Sequence, residues 1–224
     1  MDILTWPKEL EPSALDWQLL SNSKTFISTF TGSAQTVRYP GSRWRCDLTL
    51  NNLTDEKSRL LEVILAQLDG ESGRIKLFDW LRTGVSNVGD PIVNQPNQTG
   101  RSLLTRGWKP NSLVLRAADN ITINHELKKV TSDVMSDTEG NATIMFSPML
   151  RNSPAMGDKI EVREPYGIFK LTDNNQGRLR RVPGVFTSTT LSFEEALYWW
   201  SIILFQMRWL RQLMRDVTLW LRLS

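Results

Sequence analysis

The chain has a single cysteine, Cys46, and a single histidine, His125. One thiol excludes an intramolecular disulfide and any metal site built on a cysteine cluster. It fits folding in a reducing compartment, and equally a secreted protein without bridges. One imidazole leaves little for acid–base work near neutral pH. A Ser-His-Asp arrangement calls for a G-x-S-x-G elbow, and the sequence has none. His125 stands in "INHELKKV", beside a turn between two short strands, and reads as a turn or surface residue. Charge of one sign is lacking too: 27 Lys and Arg face 24 Asp and Glu, a net +3. A dedicated nucleic-acid binder carries a dense basic patch, so no specific nucleic-acid sequence is expected as a partner. The start, "MDILTWPKELEP", has no positive n-region and no apolar run, so no signal peptide is read there. Glycine-rich phosphate loops are absent.

The carboxylates do not gather into a reaction centre. "SDVMSDTEGNAT" collects Asp133, Asp137, Glu139 and Asn141, oxygen ligands at the spacing of a calcium loop. Glu139-Gly140 falls out of that register and no terminal Glu follows, so the segment reads as a polar hairpin turn with Gly140 at positive φ. Glu194 and Glu195 are read as neighbours at a helix start rather than partners across a cleft, which does not suit acid–base catalysis. No catalytic, cofactor-binding or metal residue is assigned, and an enzyme is not expected.

What is present is the patterning of a folded protein. Hydrophobic residues are 40% and charged residues 23% of 224, room for one large or two small domains. Pro7 and Pro12 break any early helix, and "DWQLLSNS" (16–23) fits a first strand with Trp17 and Leu19 on one face. "FTGSAQTVRYPGSRWRCDLTL" (30–50) reads as two strands around a Tyr39-Pro40-Gly41 turn. In the second, Trp44, Cys46, Leu48 and Leu50 face one way and Arg45, Asp47 and Thr49 the other, a sheet with one dry and one wet face. "LTDEKSRLLEVILAQLDGESG" is a helix with Thr54 as N-cap and Asp55 and Glu56 in its first turn. Leu60, Leu61, Ile64, Leu65 and Leu68 form its apolar face, and Gly70 and Gly73 stop it. "RIKLFDW" (74–80) returns as a strand.

From Val85 to Gln98 the composition turns to Asn, Gly, Pro and Gln, as in a linker. Short strands at close spacing follow: "SLVLRA", "NITIN", "ELKKVTSDV", "ATIMFSP", "KIEVREP". They predict a small β-barrel or sandwich. Trp108 is read as packing at the seam between the parts. "YGIFKLTDN" and "VPGVFTSTTLSFEEAL" then resume longer strands that can pair with the first sheet. The fold class is therefore mainly β: a sheet or sandwich with one covering helix, an inserted small β-barrel and a C-terminal helix. The parts are 1–95, the first part of the sheet domain; 96–164, the barrel; 165–192, the return strands; and 193–224, the helix.

The run "WP..LEPSALDWQLLSNSKTFISTFTGSAQTVRYPGSRWRCDLTLNNLT", the helix and "GRIKLFDW" resemble the distal tail proteins of long-tailed bacteriophages. So do 99–162, "TGRSLLTRGWKPNSLVLRA…KIEV", and "PYGIFKLTDNNQGRLRRVPGVFTSTTLSFEEAL", so that the resemblance spans about residues 6 to 197. It implies a non-enzymatic structural virion protein. Such a subunit forms a ring, usually a homohexamer, which joins the tail tube protein to the baseplate hub or tail-tip protein, with fibres as further partners. The localisation implied is the virion tail, assembled in the host cytoplasm. The alternative is a carbohydrate- or host-surface-binding module in which the barrel holds a ligand, with Trp108 and Phe146 as its aromatics. On the ring reading Arg38, Arg43 and Arg45 lie on the wet face, lining the lumen or meeting the next ring. Arg178, Arg180 and Arg181 in "GRLRRVPG" read as a solvated loop or a contact to an acidic partner.

"SFEEALYWWSIILFQMRWLRQLMRDVTLWLRLS" departs from that family's ending. Ser192 and Glu195 read as a capping box that opens a helix. Arg208, Arg211, Arg215 and Arg222 share one stripe, and Leu213, Val217 and Trp220 lie opposite. The apolar run 196–207 is about 12 residues, short of the roughly 20 a membrane span needs, and a membrane is not expected as partner. The favoured reading is an amphipathic helix docking on a neighbouring subunit or hub protein through Trp200, Leu204, Leu213, Val217 and Trp220. A helix lying on a membrane surface and a tail with no evolved role are the others.

Overall fold

The computed structural model describes residues 2–82, 84–177 and 187–197. Of the described residues 44% are in strands and 9% in helix, a mainly β protein with one α-helix. The strands are β1 (Leu4–Thr5), β2 (Ala14–Leu20), β3 (Ser23–Ile27), β4 (Ala34–Arg38) and β5 (Arg43–Leu53), followed by helix α1 (Asp55–Leu68) and β6 (Ile75–Leu77). Then come β7 (Gly89–Val93), β8 (Ser102–Trp108), β9 (Leu113–Leu115), β10 (Asn120–Ile123), β11 (Glu126–Val130), β12 (Val134–Met135), β13 (Asn141–Ser147) and β14 (Ile160–Glu161). The chain returns through β15 (Gly167–Leu171) and β16 (Thr187–Glu195).

A six-stranded sheet runs β1-β6-β15-β16-β5-β2, so the return strands do enter the first sheet. The alternation in β5 is as the sequence predicts. Trp44, Cys46, Leu48 and Leu50 are buried, and they share a core with Leu61, Ile64 and Leu68 of α1. The Thr54 side chain accepts from the Lys57 N–H, and Asp69, in the left-handed region at φ 47°, ends the helix by donating to the Leu65 carbonyl. Leu60 and Leu65 sit at the margin of the core rather than in it.

The second sheet runs β14-β10-β11-β13-β8-β7. Its ends meet: Ile92 bridges Lys159, and the Val93 N–H donates to the Asp158 carbonyl at 2.9 Å. The sheet is thus a nearly closed barrel around its own core of Leu103, Ile121, Ile144 and Phe146. The β10–β11 turn places both Asn124 (φ 46°) and His125 (φ 65°) in the left-handed region, the backbone of a two-residue type I′ hairpin.

Four readings need correction. β4 does not pair with β5. It pairs with β3, Ser23 opposite Arg38 through Ile27 opposite Ala34, while β5 pairs with β2. The two pairings form one long ribbon, and Tyr39-Pro40-Gly41 belongs to the extra residues that kink its returning strand. The stretch read as linker contains β7, which pairs with β8: strand pairing with distant residues overrode a loop-like composition. Ser192 to Glu195 end strand β16 and open no helix, because the ladder with β5 runs to Glu194 opposite Arg45. Trp108 packs inside the barrel, where its Nε1 donates to Thr105 Oγ1 at 2.7 Å.

Candidate interaction surfaces

Beyond Leu20 and Arg43 the ribbon leaves the sheet as an arm. The Tyr39 N–H donates to the Asn22 carbonyl at 2.7 Å and the Asn22 N–H to Ser42 Oγ at 3.2 Å, which carry the pairing through the kink. The five paired positions of β3 and β4 extend it by about 17 Å at ~3.4 Å per residue. A loop closes the tip, with the Ser28 N–H donating to the Ser33 carbonyl and Gly32 at φ 67°. Phe26 is 47%, Ile27 68% and Phe30 98% exposed. No acidic residue occurs from Trp17 to Cys46, while Lys24, Arg38, Arg43 and Arg45 do. The arm is therefore apolar at its tip and cationic at its root. An isolated two-stranded hairpin is marginal in water, and this one makes no core of its own.

The expected arginines part company. Arg38 is exposed on the arm. Arg43 and Arg45 lie on the wet face of the sheet, but Arg43 Nε is 2.9 Å from Glu194 Oε2 and Arg45 Nε is 3.5 Å from Asp47 Oδ1. Lys170 Nζ joins the row, 3.1 Å from Glu194 and 2.8 Å from Glu71. Burial raises the Glu194 carboxyl, but hydrogen bonds from Lys170 and Arg43 outweigh it and hold the group below the usual range. The hydrogen bond to Glu71 holds Lys170 above the usual lysine range. Arg178, Arg180 and Arg181 lie outside the described residues, as do Trp200, Leu204, Leu213, Val217 and Trp220.

The sequence reading missed the seam. Glu195 is 1% exposed. It accepts from Arg151 Nη2 at 2.6 Å and Nη1 at 3.0 Å, and from the N–H groups of Trp44 and Leu127, each at 3.3 Å. Trp44 Nε1 donates back to the Leu127 carbonyl at 3.0 Å. Buried Lys128 lies 2.6 Å from Glu126, and its Nζ donates to the Met149 carbonyl at 2.8 Å. Burial lowers the Lys128 amine, with Glu126 acting against it. Two acids and two bases thus join the end of β16, the start of β5 and the barrel strand β11 in one desolvated cluster. Only Glu126 and Lys128 two residues apart in "HELKKV" and the paired carboxylates of "FEEAL" hinted at it, because the remaining partners are far apart in sequence.

The readings of the smaller motifs fit their surroundings. Asp137 Oδ1 accepts from the N–H groups of Glu139 and Asn141, at 2.9 and 2.8 Å, within a polar turn. His125 Nδ1 is 2.8 Å from the Tyr166 hydroxyl, and burial, with Lys76 nearby, lowers its pKa. Trp108 and Phe146 are both interior to the barrel, so neither offers a face to a sugar. Among the described residues no helix is long and apolar enough to cross a membrane. A comparison with protein-family models and with curated proteins finds no match to this chain.

Proposed function

We propose that the chain is a structural subunit of a phage tail that closes into a ring between the tail tube and the baseplate hub or tip. The arm carries this reading. Its tip exposes three large apolar side chains that the chain's own core leaves uncovered, and a neighbouring copy is the surface that repeats for every subunit of a closed ring. Among the described residues the first sheet also ends on two strands without an outer partner, β1 and β2, and cyclic assembly covers such edges where a monomer leaves them as an aggregation hazard. The sequence resemblance supplies the tail, the hexamer and the partners above and below. The barrel then stands as a separate module on the ring, a platform for fibres.

Size-exclusion chromatography with light scattering, followed by electron microscopy, tests the ring. The full chain is expected at a closed multiple of 25.7 kDa. The triple substitution Phe26→Ser, Ile27→Ser, Phe30→Ser should give a monomer with an unchanged melting temperature, since none of the three is in either core. A monomeric native chain, or rings that survive the triple substitution, would sink the proposal.

A further inference from the structure

A cavity of about 450 Å³ opens where the two sheets meet, between the segment after β6, the loop ahead of β2 and the segment joining β14 to β15. Its size is that of a small-molecule site. Phe78 and Trp80 supply its apolar wall, their ring centroids 4.4 Å apart at 39°, and both are partly exposed. Trp80 is braced edge-on by buried Trp6 at 6.2 Å and 85°, and the Trp6 Nε1 is itself held by the Leu10 carbonyl at 2.7 Å. The aromatic platform is therefore fixed before anything binds.

The polar lining balances: Lys8, Arg82 and Arg163 against Glu11, Asp79 and Glu164. Lys8 spans to Glu164 at 3.1 Å, and Arg163 turns away to Asp90 at 2.8 Å. Asp79 is taken up by the Leu81 N–H and the Asn120 amide. Glu11 and Arg82 make no side-chain hydrogen bond or ion pair among the described residues. A net-neutral lining gives an anion or a cation no advantage, and a long acyl chain would strand the carboxylates and guanidinium groups without water. A sugar ring suits both parts. Its C–H face packs on an aromatic wall, and its hydroxyls both donate to a carboxylate and accept from a guanidinium.

We propose that this seam cavity binds a neutral saccharide, a hexose or N-acetylhexosamine unit of a glycan, with Phe78 and Trp80 as the stacking wall and Glu11 and Arg82 as the hydroxyl contacts. The site stands independently of ring formation. The full chain is titrated with maltotriose, cellotriose and tri-N-acetylchitotriose, read by tryptophan fluorescence and saturation-transfer NMR. Saturable binding of at least one is expected, weakened at least about tenfold by Phe78→Ala and by the double substitution Glu11→Ala, Arg82→Ala. If Phe78→Ala does not fold, the double variant, which changes only exposed side chains, decides. No saturable binding of any of the three at millimolar concentration overturns the proposal. So does binding that both variants retain, or binding of glucose 6-phosphate without any neutral sugar. Light scattering on the same samples reports ring formation separately, so either reading can fail without the other.

Discussion

Burying a carboxylate costs several kcal/mol unless its oxygens are filled, and Glu195 has both filled by the Arg151 fork and two backbone N–H groups. Glu195→Gln removes one member of that pair and should lower stability by about 3–5 kcal/mol in urea unfolding; a change under about 0.5 kcal/mol would place it with surface positions. Its neighbour Glu194 lies on the other face of the sheet, paired with Arg43 and Lys170, and behaves differently. Its folded pKa is lowered, so the stabilisation it gives is complete above the unfolded value of about 4.3 and is lost as pH falls through the folded value. Lys170 is raised, so its share is complete below about 10.4 and is lost as pH rises through its folded value. The difference in urea midpoint between the native chain and Glu194→Gln should be largest between those limits and close on the acid side; a difference constant with pH would refute the linkage. Neither role was legible. "SFEEAL" has the composition of a helix start, and only a ladder to β5, more than a hundred residues earlier in sequence, makes it a strand end.

Among the elements, α1 was the most legible, because its cap, its acidic first turn and its apolar spacing all lie within one local stretch. Leu61→Ala should cost roughly 2–5 kcal/mol, while Val63→Ala, on a residue 53% exposed, should stay within about 0.5 kcal/mol. Leu65, expected in the core, sits at its margin and should fall between. Equal effects at 61 and 63 would mean the helix presents another face. The ribbon was half legible. Alternation in β5 shows which side chains turn inward, but alternation is a property of one strand and is silent about its partner. Tyr39-Pro40-Gly41 carries the chemistry of a tight turn, and a kink between two paired stretches uses the same residues. The true reversal, at Ser28 to Ser33, is marked only by Thr31-Gly32-Ser33, a weaker signal than the proline.

For the whole molecule, the composition and strand spacing foretold two β parts, but not that they meet through buried charge. We infer that the barrel is a module, yet one that cannot be cut out without consequence. Removing 84–163 takes away Arg151, Glu126 and Leu127, the last of which packs in the first core, and leaves Glu195 buried without its fork. The shortened chain, closed with a Gly/Ser linker, should fold with a lower thermal midpoint, part of which Glu195→Met restores by removing the stranded carboxylate. Loss of any cooperative transition, with and without that substitution, would show the two parts to be one core.

The arginine fork also makes a path for force. A pull on the barrel reaches the sheet along the chain itself, at β6 and β15, and through the fork at the end of β16, and each of these three strands is held by ladders on both flanks. A strand loaded along its length between two ladders yields only when both ladders shear together, whereas an edge strand has a single ladder to shear. The barrel is thus a handle fastened to interior planks rather than to the rim.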